Sequence, residues 1–154
     1  MRILLDDIYA AANDRVLLAL ESHPQIEIRL FNPWRRRSGP AGRVFDFIAT
    51  GGRLNQRMHN KLFLADGAAA VLGGRNLGDE YFALHRRLDF RDLDVLAVGA
   101  AASAAGRSFD AFWASEYAVP ATALRLAKPP PTLAALQSVV EAHAAAMAAR
   151  PFAW

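Results

Sequence analysis

The residue types best suited to chemistry gather between Arg57 and Asn76, in the stretch "RMHNKLFLADGAAAVLGGRN". His59 and Lys61 stand two residues apart. Side chains alternate faces along a strand, so the two point the same way if strand geometry begins at His59. An imidazole beside an ammonium suits phosphate chemistry: the histidine serves as nucleophile or acid, and the lysine neutralises a non-bridging oxygen. The Gly73-Gly74 pair lets the backbone approach a ligand closely, and Asn76 adds an amide donor, together a natural anion cradle. Each residue also has an ordinary reading. An H-x-K pair arises by chance at solvated strand ends, Asp66 before Gly67 is turn chemistry, and two glycines can simply end a strand.

The elements that must position these residues can be read along the chain. "RILLDD" (2–7) reads as a short buried strand, and "AANDRVLLALESH" (11–23) as a helix with Val16, Leu17 and Leu20 on one side and Asn13 or Asp14 as its cap. "IEIRLF" (26–31) alternates with period two, as a half-buried strand does. "NPWRRRSGPAG" (32–42) marks a loop, and "RVFDFIATGG" begins as a helical turn that breaks at Gly51-Gly52. "KLFLADGAAAVLG" gives two strands around an Asp66-Gly67 turn. "RNLGDEYFALHRR" suggests a loop with helical turns, and "DLDVLAVG" (92–99) a further buried strand. "AASAAGRSFDAFWASEY" (101–117) reads as an amphipathic helix that turns Phe109, Phe112 and Trp113 inward. After "KPPP" (128–131), the Ala-rich run is helical. Helices alternating with strands indicate an α/β layered domain over residues 1–127, followed by a Pro-rich linker and helix over 128–154.

Composition narrows the function classes. The 154 residues suffice for one domain with its own core, and 53% hydrophobic against 21% charged residues excludes a disordered or collagen-like chain. Without cysteine there is no disulfide framework and no thiolate metal site, which suits a cytosolic setting. A net charge of +3 favours anionic partners such as phosphates or acidic lipids, and is too small to demand nucleic acid. Of the 18 basic residues only Lys61 and Lys128 are lysine. No apolar run reaches the roughly 18 residues that span a bilayer, and "MRILLDD" lacks a signal-peptide core. The chain reads as soluble or peripheral.

The spacing H-x-K-x4-D-x6-G-G-x-N runs without a gap through His59, Lys61, Asp66, Gly73, Gly74 and Asn76. It resembles the HKD signature of the phospholipase D superfamily. Outside the motif, "LLDD", "HPQIEIRLFNP", "RLNQRMHNK", "GGRNLGDEYF", "DLDVLAVG" and "SFDAFWASE" are similar to the amino-terminal half of bacterial cardiolipin synthases of the cytosolic two-motif type, over residues 2 to 119.

This resemblance implies a phospholipase D-like α/β layered domain, a mixed β-sheet flanked by helices, carrying a single HKD half. It implies a phosphohistidine intermediate on the motif histidine, with a second motif's histidine protonating the leaving alcohol, and neither metal nor cofactor. His59 is carried over as nucleophile or acid–base partner, Lys61 and Asn76 as phosphate ligands, and Asp66 as the motif aspartate, more structural than chemical. Gly74 and Arg75 join the phosphate cradle. Asp94, or alternatively Asp92, is placed to orient the histidine. The implied donor is phosphatidylglycerol or a similar anionic phospholipid, the acceptor a second headgroup hydroxyl, and the setting cytoplasmic and peripheral to the membrane. "WRRRS" (34–38) is a candidate lipid contact, with Trp34 at the interface, or else a solvated basic loop. Arg53 and Arg57 also flank the motif, while His23, His85 and His143 look non-catalytic.

One departure matters. None of His23, His85 and His143 has a lysine two residues on, so the chain carries one motif where the chemistry needs two histidines. Either two copies meet at a two-fold axis, or the chain is part of a longer two-motif enzyme. The second is preferred, because relatives have strands and a helix before the segment resembling "RILLDD", an expectation of truncation at the N-terminus. Three readings follow: a phosphatidyltransferase of cardiolipin-synthase type, a homodimeric hydrolase or nuclease, and an inactive fragment. The modest charge weighs against the nuclease.

Overall fold

The computed structural model describes residues 1–7, 14–34, 56–82, 85, 87–124 and 129–148. In chain order these form β1 (Arg2–Asp6), α1 (Asp14–Glu21), β2 (Glu27–Phe31), β3 (Lys61–Ala65), β4 (Ala69–Gly73), β5 (Asp94–Val98), α2 (Ala100–Trp113), β6 (Ala118–Pro120) and α3 (Leu133–Ala148), with single 3-10 turns at Asp79–Tyr81 and Ala121–Ala123. The chain divides into two compact units, Met1–Met58 with Ser115–Trp154, and His59–Ala114. The expected helical turn before Gly51-Gly52, Arg53, Asn13 and the arginines of "WRRRS" lie outside the described residues.

In the first unit β2 is the middle strand, parallel to β1 from Arg2↔Glu27 to Asp6↔Phe31 and antiparallel to β6. The period-two alternation of "EIRLF" puts Ile28 and Leu30 on one face, where both are fully buried. They form a core with Leu17 of α1 and Ala121, surrounded by Ile3, Leu5, Leu18, Leu20, Ile26 and Leu124. Burying one such aliphatic side chain stabilises by about 1.5–3 kcal/mol. Two expectations are corrected here. Val16 is exposed at 38%, because the buried stripe of α1 runs through Leu17 and Ala19 instead. Strand β1 is half-buried rather than buried, since among the described residues it pairs with β2 alone and stands at an edge of this sheet. Helix α3 packs against α1, with Leu136 its buried residue.

In the second unit β3, β4 and β5 form an antiparallel sheet in that order. Asp66 and Gly67 have φ of 52° and 68°, and the Ala68 N–H donates to the Ala65 carbonyl at 2.9 Å. Two successive left-handed residues match the right-handed twist of the flanking strands, which is why Asp-Gly closes this hairpin. Helix α2 packs on the sheet, and the small side chains Ala70 and Ala102 are buried. Trp113 is buried as expected, with Phe109 stacked on it at 5.7 Å, while Phe109 and Phe112 are half-buried. Strand β5 forms where "DLDVLAVG" foretold a strand, yet Val95, Leu96 and Val98 are 55%, 69% and 66% exposed. The correction has a plain cause: among the described residues β5 is an outer strand of this sheet, and α2, the helix packed on it, covers one of the sheet's two faces. The α/β class holds in both units, with a mixed sheet in one, an antiparallel sheet in the other, and helices packed on each.

Candidate functional site

The open end of the β3–β4 hairpin sets the geometry. Register pairs Lys61 with Gly73 and Gly73 with Asp94, so a cation, a bare backbone and an anion stand side by side across three strands. Regular strand structure starts at Lys61, so His59 lies in the extended segment just before it. The Lys61 ammonium turns back and donates to the His59 carbonyl oxygen at 2.9 Å. That bond keeps the charge beside the imidazole's own backbone. His59, Lys61 and Gly73 line one pocket of about 340 Å³ together with Leu62, Leu72 and, from α2, Ala105 and Ser108. Its size is at the lower end of the range for small-ligand sites. Asn60 lines it too, so its polar residues are an imidazole, a carboxamide, an amine and a hydroxyl, and its apolar ones are two leucines and an alanine.

A side chain at either glycine would meet a carboxylate. A Cβ on Gly73 would lie 2.0 Å from Asp94 Oδ1, and one on Gly74 would lie 2.4 Å from Asp92 Oδ2. The two carboxylates occupy the space that side chains would need. Arg75 then ties this corner together. Its Nε donates to Asp94 Oδ2 at 2.8 Å, its Nη1 to the Tyr81 carbonyl at 2.6 Å and its Nη2 to the Asp92 carbonyl at 3.4 Å. The guanidinium also lies 5.5 Å from the centroid of Phe82. With Arg75 and Asp94 both 31% exposed, the ion pair contributes little to stability, about 0–1 kcal/mol. Its effect is to fix where the two side chains point.

The structure therefore brings His59, Lys61 and Gly73 to one pocket and sets Asp94 next to Gly73, with Arg75 on Asp94. Asn76 follows directly, its amide donating to the Tyr81 hydroxyl at 2.9 Å. Asp66 is not brought to the pocket: it sits at the closed end of the hairpin, beyond the Ala65↔Ala69 pair. Arg57 is engaged with Asp6 at 3.3 Å, and Trp34 is half-buried with the Arg57 guanidinium 5.6 Å from its ring centroid. His85 accepts from the backbone N–H groups of Arg87 and Leu88, and His23 from that of Gln25, so each closes a local turn. His143 is exposed on α3. Motif spacing does not single out Tyr81, which receives both the Arg75 and Asn76 donors; the signal available was an aromatic hydroxyl five residues past the motif asparagine, on a short helical turn. Among the described residues no group of three or more His, Asp or Glu side chains is placed to hold a metal ion, and no helix is long and apolar enough to cross a membrane.

Neither a protein-family model nor a solved structure matches the chain. Curated sequences do. Cardiolipin synthase C of Escherichia coli K12 is 45% identical over 114 residues, which is 73% of this chain and 23% of that protein. An uncharacterized protein of Helicobacter pylori strain 26695 is 40% identical over 128 residues, 83% of this chain and 25% of that protein. The major cardiolipin synthase ClsA of Bacillus subtilis 168 is 39% identical over 62 residues, 40% of this chain and 13% of that protein. The chain spans about a quarter of the length of the first two relatives. With the His59–Asn76 spacing, these matches establish a cardiolipin synthase-like relation within the phospholipase D superfamily, over one portion of such a protein.

Proposed function

We propose that this chain supplies one half of a metal-independent phosphatidyltransferase site that makes cardiolipin from phosphatidylglycerol or a similar anionic phospholipid. The observation that carries the reading is the convergence of His59, Lys61 and Gly73 on one small pocket, in a chain 45% identical over 114 residues to a cardiolipin synthase. In the first step an imidazole nitrogen of His59 forms a bond to phosphorus as the bond from phosphorus to the leaving alcohol breaks. A second histidine, from another half in the same protein or from a second copy, gives that alcohol its proton. In the second step the same residue removes a proton from the acceptor hydroxyl. The new oxygen–phosphorus bond forms, and the bond to His59 breaks.

The other residues act on charge and position. Lys61 neutralises a non-bridging oxygen, and its short tether to the His59 carbonyl keeps it near the attacking ring. Asn76 and the backbone at Gly74 add donors, and Arg75 adds positive charge beside them. Asp94, held by Arg75, fixes the corner on which Gly73 rests. Asp66 contributes by closing the hairpin that sets the register. The chain works at the membrane surface, where its substrates reside, as a peripheral rather than spanning protein.

The test is incubation with phosphatidylglycerol vesicles, followed by chromatographic separation of lipids. His59→Ala is expected to lower transfer by on the order of 10⁴-fold or more. Wild-type turnover in that variant would overturn the reading. Phosphatidic acid in place of cardiolipin would assign water as the acceptor and make the chain a hydrolase. Turnover by a chain that sizes as a strict monomer would remove the need for a second histidine.

A further inference from the structure

The segment 56–60 leading into Lys61 belongs to neither sheet, so its backbone groups need partners of another kind. Residues at the C-terminal ends of β1 and β2 supply them. Asp6 Oδ2 accepts from the Met58 N–H at 2.9 Å, and its Oδ1 lies 3.3 Å from Arg57 Nη1. The same Arg57 nitrogen is 3.4 Å from the Asn32 carbonyl oxygen. The Asn32 side-chain amide donates to the Gln56 carbonyl at 2.8 Å. Three consecutive residues, Gln56, Arg57 and Met58, are thus each fastened to the same strand ends. His59 is the next residue in the chain.

The fastening groups are themselves firmly set. Asn32 is fully buried with φ of 51°, a left-handed conformation that asparagine tolerates better than most residues, and its N–H donates to the Tyr117 carbonyl at 2.7 Å. The neighbouring Asp7 is fully buried and accepts from the Trp34 N–H at 2.7 Å. Asp6 is only 13% exposed and Arg57 21%. A carboxylate accepting a backbone N–H makes a stronger bond than a neutral acceptor does. A buried left-handed residue persists only where its surroundings over-determine it, and such positions cluster at functional sites.

We infer that Asp6 and Asn32 are positioning residues for His59, fixing through Gln56, Arg57 and Met58 the backbone from which its imidazole projects. The inference rests on the reading of His59 as the reacting histidine. Asp6 does not touch the substrate. It acts through 56–58, by limiting the conformations open to the backbone that carries the ring.

The test compares Asp6→Ala, Asp6→Asn, Asn32→Gly and His59→Ala in the full chain, by amide hydrogen exchange and by kcat and KM for phosphatidyl transfer. Asp6→Ala is expected to speed exchange of the Met58 amide at least about tenfold, while amides of β2 keep their protection. Its kcat is expected to fall by about 100-fold, the scale of a misplacement near 1 Å, with KM within about twofold. Asp6→Asn keeps an acceptor for the Met58 N–H and is expected to recover most of both, which also keeps the test decisive where the alanine variant does not fold. Asn32→Gly keeps the left-handed backbone and deletes the amide, so it is expected to lower kcat as well. Unchanged Met58 exchange in Asp6→Ala overturns the inference. So does wild-type kcat in both Asp6→Ala and Asn32→Gly when His59→Ala is inactive. Wild-type turnover in His59→Ala overturns the role of His59, and the inference with it.

Discussion

The sheet of β1, β2 and β6 and the sheet of β3, β4 and β5 have three strands each, yet they are held by different means. In the first, Ile28 and Leu30 are fully buried and surrounded by apolar side chains from α1, from β1 and from Ala121 and Leu124 beyond β6. In the second, Phe63, Val71 and Leu96 stand opposite one another in register on a single face and are 65%, 37% and 69% exposed. That face also carries Lys61, Gly73 and Asp94 two residues further along. Burial therefore holds the first sheet, whereas a left-handed turn, a close-fitting glycine and the Arg75 ties shape the second. The lesson concerns where precision comes from. The candidate site is mounted on the less buried framework, so its geometry depends on a few directional contacts rather than on many interchangeable apolar ones.

Three substitutions probe that contrast in the folded chain by urea denaturation. Leu30→Ala carries the largest expected effect, a loss of about 2–5 kcal/mol, because it empties a fully buried position in the first sheet. A loss below about 1 kcal/mol would mean that the first sheet is no better packed than the second. Gly73→Ala comes next, at about 1–3 kcal/mol, since the new methyl group meets the Asp94 carboxylate and one of the two must move. Its partner measurement is phosphatidyl transfer, expected to fall further than the stability loss alone would explain, and equal falls would show that the corner is merely structural. Leu96→Thr is the smallest, within about 0.5 kcal/mol, as expected for an exposed position. A large loss there would show that this apolar face is covered in solution.

How far the sequence foretold all this depends on the distance over which each feature is decided. The hairpin was legible because Asp66-Gly67 is a local signal: two residues that accept left-handed geometry decide the turn by themselves. That His59, Lys61 and Gly73 would lie close together was legible because their spacing lies within one hairpin. The exposure of β5 was not legible. An apolar strand reads the same whether a second layer covers it or not, and Val95, Leu96 and Val98 carry no mark of which applies. The pairing of Arg75 with Asp94 was also out of reach, because it depends on the β4–β5 register across 19 residues. The hold of Asp6 on Met58, across 52 residues, is further still: a carboxylate at the end of a strand reads as an ordinary solvated residue until the fold brings a backbone N–H to it.

The Lys61–Gly73–Asp94 row has one more consequence, which concerns insertions and deletions. Lys61 and Gly73 meet because equal numbers of residues separate each from the Ala65↔Ala69 pair that closes the hairpin. The turn works as a ruler, measuring out the far end from the near one. Removing one residue between Leu62 and Leu64 would shift every partner beyond the cut, and alternation would send the ammonium to the opposite face. Two strands can accept many substitutions and remain a hairpin, but this one cannot change its length on one side alone and still set a lysine against a glycine. Length, more than composition, is what the stretch from Lys61 to Gly73 has to preserve.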